Sequence, residues 1–225
     1  EKVQGAEAHR DVKMKSVGEA MALGRNFREA LQKALRGLEI KQTGFTERPA
    51  RPGEALPPLE SRLRIPGPYR IFYLKEAMRK GFSIDQLSEI TSMDLWFLNQ
   101  LKMIFEQEGR IAETLVPVFQ SGAQPGPAEA AHWRRFKADG FSDAQIAYIL
   151  RRDLGDETID EKSVRRRRQQ AGVRPTFRSV DTCAGEFEAY TPYFYSTYQG
   201  QPDAGEVPES DSGRKKIMIL GGGPN

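Results

Sequence analysis

Two short stretches of this sequence carry the same helix-stop and helix-start signals in the same order. Each has a glycine, a phenylalanine and a serine in succession, at 81–83 and 140–142, with a glutamine three residues after the serine. A glycine ends a helix by adopting a left-handed backbone, and a serine followed three residues later by glutamine is a capping box that begins the next helix. The sequence therefore predicts two helical hairpins, related either by internal duplication or by chance.

Apolar residues at three- and four-residue steps extend this prediction to most of the chain. The predicted helices fall into two small subdomains, about 60–118 and 127–178. In the first subdomain they cover 69–80, 84–90 and 95–105, and in the second 128–138, 144–150 and 162–170. The predicted fold class is all-α.

The N-terminal region has one further amphipathic pattern, running from Val17 to Leu38. Ser16 and Glu19 have the spacing of a capping box, so the pattern predicts a helix that begins just after Ser16. A stretch rich in proline and charge follows at 47–58, and it has no periodic apolar face. We expect a linker there.

The C-terminal third has different signals. Aromatic residues between Thr176 and Tyr198 lack helical spacing and predict an extended, well-anchored segment, whereas 203–214 is polar. Residues from Lys216 to Asn225 form a short apolar run that enters a glycine turn, as at the start of a parallel βα unit. Four apolar residues cannot pair their backbone on a helical protein, so we interpret them as a strand borrowed from a following domain.

Composition excludes several classes of protein. Lys and Arg number 34 against 31 Asp and Glu, and a net charge of +3 is too balanced for a polyelectrolyte binder. One cysteine and two histidines do not suffice for a disulfide within the chain or an ordinary zinc site. Without an apolar run of ~20 residues no membrane span is expected. These features predict a cytoplasmic protein with no metal, nucleic-acid or membrane partner.

One alternative is a nucleic-acid-binding module. The stretch 141–175 resembles a helix-turn-helix in which Arg165 to Arg168 would contact phosphates and base edges. Four successive arginines, however, point around a helix and cannot all face one groove. Acidic residues also crowd the start of that helix, where they would repel phosphate. They are Glu157, Asp160 and Glu161.

Other chemistry-bearing residues are sparse. Cys183 has no histidine near it in sequence to act as a base, so a small packing residue is the favoured interpretation. Gly221 to Gly223 would suit a phosphate, but the helix that would complete such a site does not follow. Because paired carboxylates and a nucleophile triad are also missing, we expect no catalytic, cofactor-binding or metal-binding residue and no enzyme activity in this chain alone.

Several longer stretches, taken in order, resemble one family. They are Met14 to Met21 with Gly24 and Arg25, Gln32 to Glu39, Arg70 to Tyr73, Asp94 to Leu98, Val180 to Phe187, Tyr195 to Tyr198, and Lys216 to Asn225. In this order they are similar to the large subunit of carbamoyl-phosphate synthetase. The resemblance covers nearly the whole chain and is far more specific than any single motif above.

The resemblance implies a place within a larger enzyme. Large subunits of this family have two ATP-grasp halves, which use ATP with Mg or Mn and serve arginine and pyrimidine synthesis beside a small glutaminase subunit. A helical connection or oligomerisation domain joins the halves. Residues 1–39 would then be the tail of the first half, 40–213 the connector and 214–225 the start of the second half. The chain alone would need no cofactor and would be capable of self-association.

The same resemblance nominates site residues. Glu19 matches a glutamate associated with the conduit beside the first active site, although helix capping by itself explains a glutamate there. For oligomer or interdomain packing, the prediction is a helix face that carries Trp96, Phe97, Leu101 and Phe105.

Overall fold

The fold is known from a computed structural model that describes residues 20–48, 55–188, 191–200 and 217. Within these ranges the chain forms eight α-helices and one antiparallel pair of short strands, which confirms the all-α prediction. The helices are α1 Phe27–Gly37, α2 Leu59–Arg64, α3 Arg70–Arg79, α4 Ile84–Thr91, α5 Leu95–Ser121, α6 Pro127–Ala138, α7 Asp143–Leu154 and α8 Glu161–Gln170, and the strands are β1 Thr176–Ser179 and β2 Phe194–Thr197.

The two predicted hairpins, α3–α4 and α6–α7, have the same local geometry. Gly81 and Gly140 both adopt φ 86°. In each turn the following phenylalanine N–H donates to a carbonyl five residues back, at 3.1 Å for Phe82 and 3.3 Å for Phe141. This bond closes a Schellman motif, in which glycine provides the left-handed residue. The glycine stops therefore occur as the sequence predicts.

The serine caps differ between the hairpins. Ser83 and Gln86 form a complete, reciprocal capping box at the start of α4. Ser142 caps the N–H of Gln145, but the Gln145 side chain is fully buried, and its Nε2 lies 3.5 Å from the carbonyl oxygen of Phe45. Only half of the second capping box is therefore present.

Helix α5 is the structural centre of the domain. It is 27 residues long, with Pro117 in its last two turns, and it packs against α1, α3, α4, α6 and α7. One apolar cluster consequently runs through both predicted subdomains, and its largest fully buried side chains are Trp133, Phe45, Phe72, Phe136 and Phe141. The predicted helix at 95–105 was too short, because the charged run from Glu106 to Arg110 hides the inward positions Gln107, Glu108 and Ile111.

The prediction of a helix starting after Ser16 was wrong for residues 20–26, which are not helical. Helix α1 begins at Phe27, and the Asn26 side chain accepts from the N–H of Glu29 at 2.8 Å. The backbone folds tightly here: a Cβ on Gly24 would lie 2.7 Å from the Ala30 nitrogen. Ser16 and Glu19 lie outside the described residues.

The aromatic C-terminal segment is extended, as predicted, and it also forms the strand pair. Thr176 is opposite Thr197, and Ser179 is opposite Phe194. Alternate side chains of a strand face opposite sides, so Thr197 is turned into the protein and buried, whereas Phe177 and Phe194 are exposed. Of the strand predicted at 216–225, only Ile217 is among the described residues.

Candidate assembly surface and chain junction

An exposed aromatic cluster lies where α5 begins. Trp96 is 53% exposed and Phe97 48% exposed. Their rings contact each other, with centroids 5.0 Å apart, and both contact Phe27 of α1 at 5.3 Å. We call Phe27, Trp96 and Phe97 the aromatic patch. Leu95 and Met103 extend its apolar surface, and each is 46% exposed. Aromatic side chains grouped in this way are typical of a surface that contacts another protein.

The four residues predicted for a packing face do not lie together. Trp96 and Phe97 point outwards, whereas Leu101 is buried in the core and Phe105 is half-buried against it. The helical repeat explains the separation, because Leu98, Leu101 and Ile104 form the inward face of α5. The prediction missed Phe27, whose position depends on where α1 begins.

The segment before α1 and the segment after β2 meet at the C-terminal end of α6. The Ala138 carbonyl accepts from the side-chain amide of Asn26 at 3.1 Å and from that of Gln199 at 3.2 Å. The carbonyls of Asp139 and Gly140 accept from the side chains of Gln32, at 2.7 Å, and Arg36, at 2.7 Å. The last carbonyls of a helix have no partner within it. We call this set of contacts the junction.

A buried carboxylate strengthens the junction between α1 and β2. Glu29 is 1% exposed, and its Oε2 accepts from the Arg25 N–H at 2.8 Å and from the Thr197 hydroxyl at 3.1 Å. Its Oε1 lies 3.0 Å from Lys33 Nζ. Lys33 also donates to the Ser196 carbonyl. The start and the end of the described domain are therefore joined by direct hydrogen bonds.

A second cluster of buried charges packs against Tyr198, next to the junction. Asp143 Oδ1 accepts from Lys137 Nζ at 2.9 Å, and its two oxygens accept from Arg168 at 3.0 and 2.9 Å. Lys137 also donates to the Phe141 carbonyl at 2.6 Å. The Tyr198 ring, which follows β2, covers both cations, with Nζ 5.0 Å and the guanidinium carbon 5.3 Å from its centroid.

Burial and charge act in opposite directions on these groups. Burial lowers the pKa of Lys137 to about 8, even though Asp143 favours its charged form. Burial by itself would raise the pKa of Asp143, but hydrogen bonds from Arg168 and the charge and hydrogen bond of Lys137 outweigh it and hold this pKa below its ordinary value. The carboxylate is therefore the group that keeps two buried cations compensated.

The arginines of α8 do not support the nucleic-acid alternative. Arg167 binds Glu129 through two hydrogen bonds of 2.8 and 2.7 Å, and Arg168 binds Asp143. Arg165 pairs with Glu161. Three of the four side chains are thus held by carboxylates of their own protein, and they point in different directions around the helix. They cannot form the common face that groove binding requires.

Two other nominated residues, Glu19 and Cys183, remain to be located. Glu19 lies outside the described residues, so its nomination stays a prediction. Cys183 is partly buried and unpaired. Among the described residues, no three His, Cys, Asp or Glu side chains are grouped as a metal site would need. No helix in the same part of the chain has the length and apolar character needed to cross a membrane.

The geometry defines a class of protein: a helical domain that holds the segment before α1 and the segment after β2 side by side and presents an aromatic surface. Comparison with known proteins agrees with this class. Residues 19–172 match the family model of the carbamoyl-phosphate synthetase large chain, oligomerisation domain. The chain therefore belongs to this oligomerisation-domain family.

Relatives support the assignment over the full chain. The carbamoyl phosphate synthase large chain of Synechocystis is 41% identical over 225 residues, and that of Halomonas eurihalina 42% over 226; each match covers the whole of this chain and 19% of the relative. The large chain of Archaeoglobus fulgidus is 40% identical over 212 residues, or 94% of this chain and 18% of the relative. The chain thus spans about a fifth of the length of these relatives.

Proposed function

We propose that this chain is the connection and oligomerisation domain of a carbamoyl-phosphate synthetase large chain, and that it joins two ATP-grasp halves without catalysing a reaction itself. The observation that carries this proposal is the junction. Asn26 and Gln199 donate to the same carbonyl of α6, so α1 and the segment after β2 are fixed relative to each other. A domain with this arrangement would set the distance and angle between its neighbours through its packing, and it would need no acid–base chemistry to do so.

The proposal assigns the chemistry to the neighbours. Helix α1 packs into the core of this domain, so the first half would end before Asn26, short of the predicted boundary at residue 39. Residues 214–225 would belong to the second half, and ATP with Mg or Mn would bind in those halves. The small glutaminase subunit would supply ammonia to the complete cytoplasmic enzyme, which serves arginine and pyrimidine synthesis. Glu19 would lie beside the conduit between the halves.

A pair of substitutions at the junction tests the connecting role. In the large chain, Thr197→Val with Gln199→Ala removes the hydroxyl that bonds Glu29 and the amide that bonds Ala138. We expect overall carbamoyl-phosphate synthesis to fall about tenfold or more, because small misplacements of reacting groups are costly. ATP hydrolysis by each half on its own substrate should continue.

The matched control is Thr158→Val, which removes an exposed hydroxyl bonded only to Asp156. It should leave both activities unchanged. Overall synthesis at the wild-type rate in the junction variant would contradict the proposal, provided that its hydrogen-exchange pattern shows a loosened β2. Partial activities that fall together with the overall rate would indicate damage to the halves instead.

We also propose that the aromatic patch contacts a second copy of the domain. A self-complementary surface gives a closed dimer, and large exposed aromatic residues are those that contribute most to such contacts. The patch is built by two helices, α1 and α5, whose positions are fixed by the core. The contact would therefore form without rearrangement of the domain.

Sedimentation of the purified chain tests this contact. Trp96→Ala with Phe97→Ala should weaken self-association about 1,000-fold, since aromatic hot spots contribute at least ~2 kcal/mol each. Tyr148→Ala, which removes an aromatic residue that is 49% exposed on α7, should have no effect. A wild-type chain that remains monomeric at high concentration, or equal loss in the Tyr148 variant, would exclude the patch as the contact.

A further inference from the structure

A polar groove lies directly beside the junction. It is formed by α1, α5, α6 and the segment after β2, with a volume of about 400 Å³, which is large enough for a small molecule. Each helix contributes one arginine: Arg28 from α1, Arg110 from α5 and Arg135 from α6. Asn26 and Gln199, which hold the junction together, line the same groove.

The charges of the groove are not balanced. Arg28 binds Asp139 at 2.8 Å and Gln100 at 2.8 Å, so its charge is compensated. The other carboxylate of the groove, Glu106, lies 3.7 Å from Lys102. Within the described ranges, the side chains of Arg110 and Arg135 have neither an ion-pair nor a hydrogen-bond partner. Two exposed guanidinium groups on adjacent helices therefore line one concave space in which both carboxylates, Asp139 and Glu106, are paired with other cations.

The surroundings favour an anion in this space. Two guanidinium groups that line one groove repel each other. An anion bound between them would offset this repulsion and accept charge-assisted hydrogen bonds from both. The C-terminal carbonyls of α6 would oppose this, because a helix end carries partial negative charge. They are already bonded to Asn26, Gln32 and Gln199. Met103 and Ala138 add apolar surface to the groove.

We propose that this groove is a binding site for a small, multiply charged oxyanion of the phosphate or polycarboxylate class, held by Arg110 and Arg135. Such a ligand would contact three helices and the end of β2 together, and its binding would stabilise the junction. The site goes beyond the proposed function, because it assigns a ligand to the domain itself. It does not depend on self-association or on the flanking halves.

Calorimetric titration of the 225-residue chain with inorganic pyrophosphate and, separately, with citrate tests the site at constant ionic strength. We expect saturable binding of at least one of the two anions. Tighter binding of pyrophosphate would indicate a ligand of the phosphate class, and tighter binding of citrate one of the polycarboxylate class. Arg110→Gln with Arg135→Gln should weaken this binding by about 100-fold, since each charged hydrogen bond lost is worth about tenfold. The ligand should also raise the unfolding midpoint of the wild-type chain.

Arg134→Gln is the matched control. Arg134 is exposed, neighbours Arg135 in α6 and does not line the groove, so this variant should bind as the wild type does. Three results would overturn the proposal: no saturable binding of either anion, unchanged binding in the double variant, or equal weakening in the control.

Discussion

Replacing Gly140 by alanine should lower the free energy of unfolding by about 2–5 kcal/mol, whereas the same replacement at Gly81 should cost only about 1 kcal/mol. The two glycines have the same φ of 86°, so alanine meets the same backbone strain at both. The difference is what the new methyl group touches. At Gly140 its Cβ would lie 2.8 Å from Glu29 Cα and 3.2 Å from the Arg28 carbonyl oxygen, whereas at Gly81 nothing lies within 4 Å.

Urea unfolding of both variants measures this difference. Gly81→Ala is the internal control for backbone strain, so the excess cost at Gly140 reports only the contact between α1 and the α6–α7 turn. Hydrogen exchange should also show less protection of the backbone amides of α1 around Gln32 and Arg36 in the Gly140 variant, because the side chains of these two residues bond to the turn. Equal destabilisation by the two substitutions would show that α1 does not pack closely on this turn.

Asp143→Asn should lower the free energy of unfolding by about 3–5 kcal/mol, because it removes the negative charge that is bonded to two buried cations. Lys137 and Arg168 are both within 3.0 Å of this carboxylate, and all three side chains are nearly inaccessible to water. The asparagine side chain has the same size, so the loss reports charge and not packing. Chemical denaturation at neutral pH measures it.

The pH dependence provides a second readout. The pKa of Asp143 is lower in the folded protein than its ordinary value of 3.8, so the folded state binds this proton less readily than the unfolded chain does. Its contribution is therefore complete above the ordinary value and is lost as pH falls through the folded pKa. The stability gap between wild type and Asp143→Asn should therefore stay constant above the ordinary value of 3.8 and narrow as the pH falls below it.

Glu106→Gln is the control for the loss of a carboxylate. Glu106 pairs with Lys102 at 3.7 Å, and both side chains are about half exposed, so this variant should change stability by less than about 0.5 kcal/mol. A cost for Asp143→Asn as small as that of the control would mean that Lys137 and Arg168 find other partners or water.

Local signals predicted the helices well, and they failed where tertiary contacts decide the structure. Helices α3, α4, α6 and α8 begin and end near the predicted residues because their caps and stop signals act within a few residues, whereas α7 runs beyond its predicted end at residue 150, to Leu154. The start of α1 was misplaced because the side chain of its N-cap, Asn26, is held partly by a hydrogen bond to the carbonyl of Ala138, which is 112 residues away in sequence. The full length of α5 was missed because its buried Glu108 is compensated by Lys75 from α3, at 2.7 Å.

The candidate site was only partly accessible to sequence reasoning. Trp96 and Phe97 were nominated as packing residues, and their exposure is consistent with that prediction, which still requires the sedimentation test. The buried cluster around Asp143 was not foreseen, since its members resemble ordinary surface charges at a helix start and in a basic helix. The alternative that used Arg165 to Arg168 failed for the same reason: Glu129 and Asp143, the carboxylate partners of Arg167 and Arg168, are contributed by other helices.

The shared carbonyl of Ala138 has one more consequence. Because Asn26 and Gln199 both bond to it, the chain arrives at and departs from this domain along one edge, although 173 positions separate the two residues in sequence. Helices and loops far from Ala138 can therefore change in length during evolution without altering the distance between Asn26 and Gln199, and so between the segments that precede and follow them. A domain whose entry and exit lie side by side resembles an inserted domain, in which changes of loop length far from the shared carbonyl are tolerated better than changes beside it.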